Sequence, residues 1–88
     1  ALAADLVNAR DSGVEPGSEE AEALVERHRA SIAQWYDVTP ARQLILARMY
    51  VGDPRFHEAY NGAQDYLLEL VTAHAAAEGV DVDNPQWG

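Results

Sequence analysis

The tightest constraint in this chain is the run Val51-Gly52-Asp53-Pro54. Proline has no N–H to donate, and it pushes the residue before it out of the helical region. A helix that reaches Val51 therefore has to stop. Gly52 suits the position just past a helix end, where it can take positive φ at little cost. Asp53 can cap the next helix with its carboxylate, and Pro54 fits the first helical position. Met49, Tyr50 and Val51 close an apolar segment that begins at Leu44, and Phe56 is expected to point back inward. Two helices then meet at a fixed angle, and the remaining chain packs on them.

The same punctuation divides the rest. Ser18 is an N-cap signal followed by Glu19 and Glu20, which favour the positive end of a helix dipole. Thr39-Pro40 is a second restart, and Asn61-Gly62 is a turn signal. The expected helices are Ala1 to Asp11, Ser18 to about Trp35, Pro40 to Val51, Pro54 to about Tyr60, and a last one running to about Glu78. In the second, Ala21, Leu24, Val25, His28, Ile32 and Trp35 fall on one face. In the third, Ala41, Leu44, Ile45, Arg48 and Met49 share a broad face, with Leu46 and Tyr50 on another. A short helix apolar on two sides is expected to be central. The last helix turns Ala63, Leu67, Leu70, Val71 and His74 inward. No strand pattern competes. The expected fold is all-α, a small bundle of about five helices over residues 1–79, with 80–88 a flexible acidic tail.

Eighty-eight residues allow one modest core. The net charge is -9 and all six basic residues are arginine. Phosphate backbones and anionic membrane surfaces both need a basic face, so neither DNA nor membrane is expected to bind this segment directly. There is no cysteine, which removes disulfides, thiolate nucleophiles and cysteine-ligated metals. No stretch reaches the roughly 18 apolar residues of a spanning helix, and no signal-like start is present. A cytoplasmic protein is the expectation. Residue 1 is not methionine and falls inside a helical pattern, as in an excised domain.

Candidate chemistry is sparse. His28 and His74 lie on apolar stripes, where a lone histidine is usually a hydrogen-bonded core residue or a donor at a pocket wall. His57 is expected at the surface. No His-x-x-x-His or Glu-x-x-His spacing suggests a metal, and no cofactor is expected. Asp81-x-Asp83-Asn84 lacks the central glycine and closing glutamate of a calcium loop. The serines have no elbow glycines and no evident base, so an enzyme is not expected. Trp35-Tyr36 stands apart: two amphipathic aromatics where a helix breaks can line a groove for a large apolar ligand or simply pack.

The run His28-Arg29, Tyr36-Asp37, Met49-Tyr50-Val51-x-Asp53-x-Arg55-Phe56, then Tyr60 and Tyr66, resembles the TipAS antibiotic-recognition domain over about residues 18–78. That domain is usually the effector half of MerR-type transcriptional activators, and also occurs alone as a drug-sequestering resistance protein. The resemblance implies a globin-like all-α domain that binds large, partly aromatic antibiotics, thiopeptides among them. It implies an N-terminal part that ligand orders, and possible helices ahead of Ala1. It places the family's ligand-capturing cysteine at Ile45, so capture here would be noncovalent and reversible. His28, Trp35, Tyr36, Ile45 and Met49 become the expected ligand contacts, in a groove between the second and third helices. Gly52, Asp53, Arg55 and Phe56 become structural, with Arg55 pairing a carboxylate. DNA would be reached only through a separate domain. The alternatives are a stand-alone sequestering protein and a helical protein–protein interaction module.

Overall fold

The computed structural model describes residues 1–35 and 37–87. Five helices follow in order: α1 Leu2–Asp11, α2 Glu19–Ala33, α3 Pro40–Val51, α4 Pro54–Ala59 and α5 Gln64–Ala77. No strand occurs among the described residues. The fold is all-α, compatible with the globin-like bundle expected. The caps explain the boundaries. The Ser18 hydroxyl accepts from Ala21 N at 3.2 Å, and Thr39 accepts from Arg42 N at 3.2 Å. Asp53 accepts from Arg55 N at 3.0 Å, with Pro54 opening α4 behind it. Each cap satisfies an N–H that the helix itself leaves unpaired.

The α3–α4 corner differs from expectation in one respect. Gly52 sits at φ -84°, in the ordinary right-handed region. A Cβ there would meet only the Met49 carbonyl, at 3.8 Å. The stop comes from Pro54 holding Asp53 extended, not from glycine's freedom. Positive φ is used at the next turn instead. Asn61 (φ 53°) and Gly62 (φ 79°) reverse the chain between α4 and α5. A Cβ at Gly62 would come within 3.2 Å of the His57 ring.

α5 is the hub, not α3. It packs most extensively on α3 and also contacts α2 and α1. Leu67, Leu70, Val71 and Ala75 of α5 are essentially without exposure, and Leu6, Ala21, Val25, Leu44 and Ala47 close around them. α3 is rotated relative to the face read from its apolar spacing. Its inward arc is Gln43, Leu44, Leu46, Ala47 and Tyr50. Ala41, Ile45, Arg48 and Met49 lie on the opposite arc, with Ile45 half-buried and Met49 exposed. The cause is Gln43, a polar residue at the centre of the buried arc, which breaks the apolar stripe.

Residues 80–87, expected as a flexible tail, lie against this bundle. Val80 and Val82 pack on the core. Arg48 donates to the Val82 carbonyl, and Arg42 Nε donates to the Trp87 carbonyl at 2.6 Å. At the other side of the molecule the α1–α2 connection is pinned by Tyr66 of α5, whose hydroxyl donates to the Val14 carbonyl at 2.6 Å. Removing only that hydroxyl, with Tyr66→Phe, should cost about 1 kcal/mol. Urea unfolding should show the loss, and amide exchange should quicken around residues 13–17 before it does in α5.

Candidate ligand-binding site

The sequence placed a groove between α2 and α3, with His28 on its wall. The structure fills that space. His28 is wholly buried, and so is Gln43 across from it. Gln43 Nε2 donates to the Val25 carbonyl at 2.9 Å and stands 2.9 Å from His28 Nδ1. A carbonyl accepts only, so the amide nitrogen, not its oxygen, must face this pair. Its second hydrogen then points at His28 Nδ1, which accepts, and the ring proton sits on Nε2. Three aromatic rings cover that end. The His28 ring meets Tyr50 edge-on at 5.7 Å and Tyr60 at 6.2 Å. Tyr50 stacks on Phe56 at 4.2 Å and on Tyr60 at 5.7 Å. His28 Nε2 and Gln43 Oε1 have no hydrogen-bond partner.

The expected ligand contacts therefore separate. His28 is enclosed in a plug of its own neighbours, so contact through it would need α2 and α3 to part. Trp35 is 75% exposed and Met49 62% exposed. Ile45 is half-buried on the same outward arc of α3 as Met49. Tyr36 lies outside the described residues. Of the residues expected to be structural, Asp53 caps α4, and its carboxylate holds Arg55 through a 2.6 Å ion pair. That hydrogen bond keeps the Asp53 acid below its usual range. Phe56 is the partner that carries the Tyr50 stack. Tyr66, expected near the same corner, is instead the anchor of the α1–α2 connection.

Arg42 was not singled out in the sequence, although it joins three segments. Its Nη1 donates to the Asp37 carbonyl at 2.9 Å, its Nε to the Trp87 carbonyl, and its guanidinium lies 5.2 Å from the centre of the Trp87 ring. The large apolar side chains left exposed are Trp35, Met49, Val51 and Trp87. Met49 and Val51 belong to α3, Trp87 leans on it, and Trp35 precedes the connection that Arg42 holds. Clefts occur elsewhere, around the α1–α2 connection. One of about 360 Å³ lies between α1 and α2, floored by Ala9, Val14 and Leu24 and crossed by the Arg27–Asp5 ion pair at 2.6 Å. A second, of about 710 Å³, continues along the connection. A third, of about 560 Å³, lies between Pro16 and the Leu68–Thr72–Ala76 side of α5. Among the described residues no group of three or more histidine and acidic side chains could hold a metal ion, and no helix is long and apolar enough to cross a membrane.

The family model of the TipAS antibiotic-recognition domain matches residues 1–84. The chain belongs to the TipAS family. The match takes in α1 and most of the segment after Gly79, beyond the residues 18–78 that carry the resemblance in the sequence. No curated protein and no solved structure is significantly similar to the chain. As a TipAS domain it carries an antibiotic-recognition scaffold, here with no thiol anywhere in the chain.

Burial lowers the His28 pKa from 6.5 to about 4, because nothing around the ring compensates a positive charge. The ring is therefore neutral at pH 7. The unfolded chain takes up the proton first, near pH 6.5, and the folded chain only near pH 4. The stability tied to neutral His28 is present above that window and is lost as pH falls through it, by up to about 3 kcal/mol. Urea midpoints measured from pH 7 to pH 4 should fall accordingly. The fall between pH 6.5 and 4.5 should largely vanish in a folded His28→Gln variant.

Proposed function

We propose that this domain binds large, uncharged, partly aromatic antibiotics of the thiopeptide kind, reversibly and without a covalent bond, as the effector domain of a MerR-type regulator. The observation that carries this reading is the TipAS match over nearly the whole chain. The absence of cysteine supports reversibility, because the nucleophile needed for thiol capture is missing. The exposure of Met49 on the outer arc of α3, and of Trp35 ahead of that helix, supports a binding surface there, with Trp35 as a stacking platform and Ile45 and Met49 beneath the ligand. His28 acts from behind, by fixing α2 against α3. Apolar burial and stacking supply the affinity. Ordering of loose segments on binding subtracts from it. In a regulator, that ordering is what an attached DNA-binding domain would sense.

The exposed Trp35 and Met49 also favour a second reading, in which the same surface binds a helix of a partner protein and no antibiotic. A fluorescence titration of the chain against a panel of thiopeptides separates the two. The first reading expects saturable quenching, no mass increase after denaturation, and full recovery of the free protein on dialysis. Trp35→Ala should weaken binding about tenfold, the equivalent of one well-placed aromatic contact, and leave the helical circular dichroism unchanged. A folded chain that ignores the whole panel would sink the antibiotic reading. Amide shifts that map only to the clefts around residues 12–18 would move the site to α1 and α2.

A further inference from the structure

In a chain with fifteen carboxylates and six arginines, four arginines take acidic partners: Arg10 with Asp11, Arg27 with Asp5, Arg29 with Glu26 and Arg55 with Asp53. The two on α3 do otherwise. Arg48 donates to the Val82 carbonyl and Arg42 to the carbonyls of Trp87 and Asp37. Asp81 and Asp83 are present in the same segment, yet neither is paired with these arginines; Asp81 instead accepts from the Asp83 backbone N–H at 3.1 Å. The arginines thus grip the segment by its main chain and by one ring, Trp87, under the Arg42 guanidinium, while Val80 and Val82 anchor its start on the core. On a helical wheel Arg42 and Arg48 bracket an arc of about 120° that also holds Ile45 and Met49. Residues 80–87 run antiparallel to α3 across that bracket, since residue 82 meets position 48 and residue 87 meets position 42.

We infer that the outer arc of α3 is a recognition surface for a carbonyl-rich peptide chain bearing an aromatic ring, and that residues 80–87, which turn at 81–84, occupy it in cis. Recognition there is of carbonyl oxygens and a π face, independent of ligand charge. Arg42 and Arg48 supply the donors, and the apolar side chains between them supply the floor. The consequence for an antibiotic rests on the reading above. A peptidic ligand with amide carbonyls and heteroaromatic rings would present the same groups, so it would have to displace the segment. Its apparent affinity would be reduced by the fraction of time the segment is docked.

The test uses the full-length chain carrying Val82→Asp and Trp87→Ala, which loosen the segment without touching α3. Faster amide exchange over residues 81–87, with unchanged helical circular dichroism, reports its release. A synthetic peptide of residues 80–87 is then added. It should shift the Arg42 and Arg48 side-chain resonances of this variant, saturating at about millimolar peptide, the usual scale of an intramolecular effective concentration. Wild-type chain should respond several-fold more weakly. A peptide with both aspartates changed to asparagine should bind as well, and one with Trp87→Ala several-fold worse. Loss of binding in the asparagine peptide, or no shift at the two arginines, would overturn the inference. A thiopeptide should bind the loosened variant about three- to tenfold more tightly than wild type. Equal or weaker binding would overturn the competition while leaving antibiotic binding intact. A thiopeptide that binds neither chain would instead remove the functional reading, with the peptide experiment still deciding the surface.

Discussion

One side-chain amide holds the two halves of this bundle in register. Gln43, at the centre of the inward arc of α3, donates both of its hydrogens across to α2, one to the Val25 carbonyl and one to His28. α2 and α3 otherwise meet chiefly through α5. A buried amide hydrogen bond contributes about 1 kcal/mol net, but leaving a partner unpaired costs more, about 1–3 kcal/mol. Any sliding of α2 along α3 would leave the buried Gln43 amide hydrogens and His28 Nδ1 unpaired at once. The interaction thus acts more as a gauge of position than as a source of stability. The aromatic layer of Tyr50, Phe56 and Tyr60 closes over the imidazole and carries the same constraint into α4.

That arrangement decides where a ligand can go. A helical domain with a ready cavity would offer an apolar void between helices. Here the corresponding space is occupied by a neutral histidine, an amide and three rings. On the proposed function, a ligand is left the outside of α3 and the clefts flanking the α1–α2 connection. Both regions are bordered by non-helical chain, residues 12–18 on one side and 80–87 on the other. Such segments can adjust at a small cost in packing, which a core helix cannot.

Much of the architecture could be read in the sequence, because it is written in local chemistry. Ser18, Thr39-Pro40, Asp53-Pro54 and Asn61-Gly62 set helix ends through caps and turn conformations that depend on near neighbours only. The site was less legible. Apolar periodicity assigned Ile45 and Met49 to the inside of α3 and left Gln43 unmentioned, because a glutamine counts as polar until its partners are known. Those partners, Val25 and His28, lie far off in the chain. The docking of residues 80–87 was missed for a similar reason. Four acidic or amide residues and a proline suggest a solvated tail, and nothing local reveals two arginines on α3 placed to hold its carbonyls. Arg42 itself carries no sequence signal beyond its charge.

A helix apolar on two sides ordinarily lies in the middle of a fold, and α3 shows a different solution. Its inner arc is closed by α5 and the Gln43–His28 plug. Its outer arc meets no second helix. Part of it is covered by a short non-helical segment, and part, at Met49, is left to solvent. An interface made with eight residues of non-helical chain buries far less apolar surface than a helix would, and much of its hold is polar, through exposed arginines. Contacts of that kind are each worth little in water. The inner arc is thus bound to the stability of the whole domain, whereas the outer one can exchange its cover while the core stays shut.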